Sequence, residues 1–158
     1  MMSEEIKPQT GREMIAVETT RFGPVQAPAN EVVTLVEDML GFPGLRRYVF
    51  LDNPAGGPFK WMQSLDLPQV AFVVCDPALF LPSYKVLLKQ SEMDEIQLQK
   101  LDEGVVVVIL VVPKDPRGIT ANLQGPLVIN IEKRLAKQFI LSGTDYPTRY
   151  PIFAGGEG

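Results

Sequence analysis

The chain has 158 residues, of which 46% are apolar, enough for one domain with a core and too few for two comfortable ones. Its formal charge of −4 argues against a direct grip on nucleic acid, where a basic face releases phosphate counterions. Histidine is absent and Cys75 is the single cysteine, which excludes a Ser-His-Asp triad, a Cys-His dyad, histidine-ligated or four-cysteine metal sites and an intrachain disulfide.

Residues 1–12 are polar, with Pro8 and Gly11, and are expected to form a disordered tail. Acids stand where an export signal would carry lysines, and no apolar stretch follows. Strands are expected at Met14–Val17, stopped by Gly23-Pro24, and at Val32–Val36, followed by a Gly41-Phe-Pro-Gly44 turn. Further strands are read at Arg47–Leu51, Phe59–Met62, Val70–Cys75 and Tyr84–Leu88. A helix over about residues 91–103 follows, with Ser91 and Asp94 as its capping box and Met93, Ile96 and Leu101 on one face. Gly104 and Pro113 bracket Val105–Val112, a run rich in β-branched residues, expected to be buried on both faces and far shorter than the ~20 residues of a membrane helix. Ile119–Asn122, Leu127–Glu132 and Gln138–Leu141 complete the set, and residues 154–158 are expected to be a second disordered tail. The fourteen prolines fall between the apolar runs as breakers. The fold class is all-β, a single domain over residues 13–153 built as a sandwich or barrel with one short helix.

Candidate chemistry is sparse. Glu37, Asp38, Asp66 and Asp76 lie beside strand ends but show no environment that would split their pKa values, and Asp76 before Pro77 reads as a turn cap. Cys75 closes an apolar run and reads as core. Gly56-Gly57 lacks the strand-turn-helix context of a phosphate loop. Phe59, Trp61, Phe72 and Phe80 have only Lys60 among them, so packing accounts for them better than base stacking does. Glu92, Asp94, Glu95, Asp102 and Glu103 against Lys100 give residues 92–103 an acidic face, either a solvated helix or a dock for a basic partner. No enzyme, cofactor or metal is expected.

Several blocks in order resemble the bacterial flagellar assembly factor family, FliW. They are Thr19-Thr-Arg-Phe-Gly-Pro-Val25, Met39-Leu-Gly-Phe-Pro-Gly-Leu45, Phe59-Lys-Trp-Met-Gln-Ser-Leu65, Pro68–Pro77 with Tyr84, Thr120–Asn130, Lys137–Leu141 and Tyr146–Pro151. The chain departs from the usual family pattern at Phe42, Leu45 and Arg46, at Met62, and in a longer segment before Met14. The resemblance implies a compact β-barrel-like fold and a cytoplasmic protein that binds flagellin before export. It also implies that the free protein captures CsrA, the RNA-binding repressor of flagellin translation. A monomer is expected, with no membrane and no direct nucleic-acid contact. Under the resemblance, the acidic face with Glu92, Asp94 and Glu95 is the candidate for CsrA. Phe42, Leu45, Trp61, Gln63, Ser64, Asn122 and Leu123 are the candidates for an apolar groove that takes an amphipathic helix of flagellin. The rival readings are a small-molecule, flavin-like barrel and a direct RNA binder of the OB type.

Overall fold

A computed structural model describes residues 13–152, so both expected tails, and Phe153 of the expected domain, lie outside the described residues. The strands are β1 (Met14–Val17), β2 (Val25–Pro28), β3 (Val33–Leu35), β4 (Arg47–Asp52), β5 (Lys60–Ser64), β6 (Ala71–Cys75), β7 (Val105–Val111), β8 (Thr120–Ala121), β9 (Leu127–Asn130), β10 (Leu135–Gln138) and β11 (Tyr150–Pro151). Among the described residues one α-helix, α1, spans Gln90–Asp94.

β3 to β7 form an antiparallel meander, and β9 and β10 form a hairpin. Two further pairings close the sheet on itself. β9 pairs antiparallel with the first half of β7, Leu127 opposite Val107, and β10 pairs parallel with β3, Ala136 opposite Leu35. The result is a closed seven-stranded barrel. The second half of β7 carries β8, which in turn pairs with β11, while β1 and β2 form a separate hairpin.

Side-chain alternation divides the apolar residues into an inner and several outer clusters. Val33, Leu35, Tyr48, Met62, Val74, Leu127 and Ile129 fill the barrel. Outside, the β1–β2 hairpin lays Val17 and Ala27 over Val49. Val86, Ile96 and Leu98 cover Val128, and Ile119 and Leu123 cover Cys75 and Val108. β7 faces the interior with Val107 and Ile109 and an outer layer with Val108 and Leu110, the physical reason for its unbroken apolar run.

Several expected boundaries shift. Tyr84–Leu88 joins no ladder, although Val86 is buried and Leu87 exposed as a strand pattern requires; among the described residues no strand pairs with it. The helix begins at Gln90, because the Glu92 carboxylate accepts from the Lys89 amide at 2.8 Å. It ends at Asp94, where Gln97 turns left-handed (φ 57°) and the Gln97 and Leu98 amides donate to the carbonyls of Asp94 and Met93. That pair of bonds is a Schellman stop, usually built on glycine. β10 lies three residues before the expected Gln138–Leu141, although the amides of Phe139 and Leu141 still donate to Pro126 and Gln124. β2 and β11, both containing proline, were not expected.

Candidate functional site, an apolar groove at one mouth of the barrel

The loop from β3 to β4 builds the wall of this groove by two successive turns. The Phe42 amide donates to the Met39 carbonyl at 3.0 Å with Gly41 at φ 87°, and Pro43-Gly44 then turns the chain again with Gly44 at φ 80°. A glycine at the third position of each turn suits the type II geometry, in which φ is positive there. Leu40 is lifted to the tip of the first turn and is 81% exposed. Arg46 staples the loop's base, its guanidinium on Asp38 at 2.9 Å. That hydrogen bond is the main reason the Asp38 carboxyl is held below its usual pKa.

Opposite this loop, the ends of β7 and β10 and the 122–126 turn complete the groove, which encloses about 410 Å³. Leu40, Phe42, Phe72, Ile109, Val111 and Ile140 make its apolar lining, with Asn122, Gln124, Gln138 and Arg149 as its polar edge. Phe42 meets Phe72 edge-to-face, ring centroids 4.9 Å apart. Asn122 locks the turn by accepting from the amides of Gln124 and Gly125 at 3.1 and 2.9 Å, and Gln138 donates to the Gly125 carbonyl at 3.0 Å. A Cβ at residue 125 would meet the Gln138 amide nitrogen at 2.9 Å, so a side chain there would push the end of Gln138 aside. Leu40, Val111 and Ile140 are each more than half exposed; apolar side chains gathered around one concave surface make it a candidate binding face.

The structure brings together Phe42 and Asn122 of the sequence candidates. Leu45 packs instead against the barrel core. Trp61 lies in a separate groove on the barrel's flank, with the Arg21 guanidinium 4.2 Å above its ring and Phe22 against its edge. Gln63, Ser64 and Leu123 are buried. The Gln63 amide donates to the carbonyls of Ser64, Pro68 and Val70, and the Ser64 hydroxyl accepts from the amides of Asp66 and Leu67. Leu123 fixes Tyr84, whose hydroxyl donates to its carbonyl at 2.6 Å. Leu40, Val111 and Ile140 were missed; the signal for Leu40 was a large apolar residue placed at a turn tip.

The acidic candidates lie on and just after α1. Glu92 caps the helix, Asp94 accepts from the Gln90 side-chain Nε2 at 2.8 Å, and Glu95 pairs with Lys137, which also meets Glu37 at 3.0 Å. Hydrogen bonding to Glu95 is the leading cause that raises the Lys137 pKa. Cys75 is buried and its thiol is pushed up to about 12, chiefly by burial. Among the described residues no group of acidic or cysteine side chains is arranged to hold a metal, and no helix is long and apolar enough to cross a membrane.

A family profile described as FliW protein matches residues 16–152. The flagellar assembly factor FliW of Bdellovibrio bacteriovorus is 41% identical over 137 residues, 87% of this chain and 78% of that one. The FliW of Geobacter sulfurreducens is 39% identical over 87% of this chain and 86% of its own. A crystal structure of the flagellar assembly factor FliW superposes with a TM-score of 0.81 at 30% identity, covering 87% of this chain and 96% of that one. With barrel, blocks and relatives in agreement over nearly all described residues, the chain belongs to the FliW family of flagellar assembly factors.

Proposed function

We propose that this protein is a cytoplasmic, non-catalytic partner switch that binds flagellin before export and, when free, binds CsrA and relieves repression of flagellin translation. The apolar groove between Leu40, Phe72 and Ile140 supports the first half: it is open, largely apolar and edged by amides and Arg149, the form that receives one face of an amphipathic helix. The acids at α1 supply a complementary surface for a basic, RNA-binding partner. Two ligands that exclude each other make each one's occupancy report the other's concentration, which is the regulatory content of the switch.

Two truncations test the groove. Phe42→Ala removes a groove wall, while Leu45→Ala removes a side chain that packs inward. Calorimetric titration with flagellin is expected to show at least a tenfold loss for Phe42→Ala, a change of about 1.4 kcal/mol or more. Urea unfolding is expected to show the larger stability loss, about 2 kcal/mol, for Leu45→Ala. Parallel losses of affinity and stability in both variants would make both residues structural and remove the groove from the reading.

A further inference from the structure

The barrel's opposite end is also open. The starts of β3, β5 and β7 and the ends of β4, β6 and β9 converge there around a chamber of about 620 Å³. Phe50, Val74, Val105, Val107 and Ile129 form its apolar wall. Val105 and Ile131 remain 42% and 45% exposed at the opening. A chamber of this size falls within the ~300–1,000 Å³ of small-ligand sites.

A fixed cation stands at its edge. Arg134 closes the turn between β9 and β10 with a left-handed backbone, φ 57°. It is held at both ends: its carbonyl accepts from the Thr34 amide at 2.9 Å, and its guanidinium donates to the Glu31 carbonyl at 2.7 Å and the Ile131 carbonyl at 3.3 Å. Those acceptors are neutral, Nε is buried without a partner, and among the described residues no carboxylate pairs with Arg134. Lys60 also lines the chamber, but it is paired with Asp52 in an exposed contact that stabilises little. Asp76, the chamber's one carboxylate, accepts from the Ala78 amide at 2.9 Å as the cap of a short turn. An uncompensated guanidinium beside an apolar cavity attracts an anion more strongly than the same group in open water.

We propose that this mouth binds a small amphipathic carboxylate, its hydrocarbon chain against Phe50, Val105 and Val107 and its acid group on Arg134. Chemistry selects that occupant. An uncharged lipid would leave Arg134 uncompensated, and an inorganic anion would leave the chamber's apolar wall wet. The packed core of Tyr48, Met62 and Leu127 lies in the same barrel interior, and the chamber shares no lining residue with the Leu40–Phe42 groove, so this site is independent of the flagellin reading.

Decanoate is the probe, with decanol as its uncharged counterpart, titrated below their micelle or solubility limits into the full chain and followed by calorimetry and amide NMR shifts. Saturable decanoate binding is expected, with shifts at Val105, Val107 and Ile131 and at least tenfold weaker binding of decanol. Arg134→Gln is expected to weaken decanoate by about tenfold or more, as loss of a charge-assisted hydrogen bond does. Val105→Trp places an indole in the opening from an exposed position and is expected to abolish binding; it decides the matter if Arg134→Gln fails to fold. Absence of saturable binding, equal affinity for decanol, shifts confined to the Leu40–Phe42 groove, or undiminished binding by folded Val105→Trp would each overturn the proposal.

Discussion

Tyr48 is fully buried beside the barrel core, and its hydroxyl donates to the Leu45 carbonyl at 3.1 Å. Burial, with smaller contributions from Asp66 and Asp38, pushes its pKa up to about 12 from 10.0. Burial likewise raises the Cys75 thiol from 9.0 to about 12 and raises Tyr84. Each group is neutral when protonated, so the native state holds its proton at pH values where the unfolded chain releases it. The stability each group contributes is therefore complete below the unfolded pKa and is lost as pH rises toward the folded one. Unfolding free energy measured in urea is expected to fall between pH 9 and 12, by about 1.4 kcal/mol per pH unit for each group titrating. Cys75→Ala is expected to delay the start of that fall toward the tyrosine range. Stability unchanged up to pH 12 would contradict the buried, neutral assignment of these side chains.

The helix α1 shows what an element contributes beyond its own residues. Its acids were read in the sequence as one charged face, yet they are engaged one by one, Glu92 in capping the helix and Glu95 in neutralising part of Lys137. Of Glu92, Asp94 and Glu95, Asp94, exposed and bonded to the neutral Gln90 side-chain amide, is the one that can be reversed without removing a cap or an ion pair. Asp94→Lys is accordingly expected to weaken the CsrA complex several-fold, mainly through slower association and with steeper loss at low salt, while leaving unfolding free energy within about 0.5 kcal/mol. Unchanged affinity in the folded variant would remove this face from the account. The same element marks where the sequence was opaque. Glu92 and Gln97 set the helix ends, but a left-handed glutamine stop carries no glycine signal, so the helix was drawn on to Gly104. The Val105–Val112 run was legible over Val107–Leu110, where both faces pack, although Val105, Val111 and Val112 at its ends are exposed, and the Gly41 and Gly44 turns were legible because their backbone needs glycine. Tyr84–Leu88 had a strand's alternation without a strand's partner, which alternation cannot supply.

At the scale of the whole molecule, barrel closure was invisible to local pattern. It depends on the parallel pairing of Leu135 and Ala136 with Thr34 and Leu35, about a hundred residues away in sequence. Strand count and spacing left sandwich and barrel equally open, and the family resemblance pointed to the barrel. The candidate site was legible in part: Phe42 and Asn122 meet across one mouth, whereas Val111 and Ile140 join them only through closure. Closure also separates the proposed sites, placing the apolar groove at one end and the Arg134 chamber at the other, with the acids of α1 on the outer layer. A barrel carrying distinct faces suits the proposed exchange between partners. The most direct test of that claim is calorimetric titration of the protein with flagellin and with CsrA, each repeated with the other already bound. Binding of both partners, each weakened at least tenfold by the other, is the predicted result. Simultaneous binding at undiminished affinity, or binding of neither, would contradict the switch.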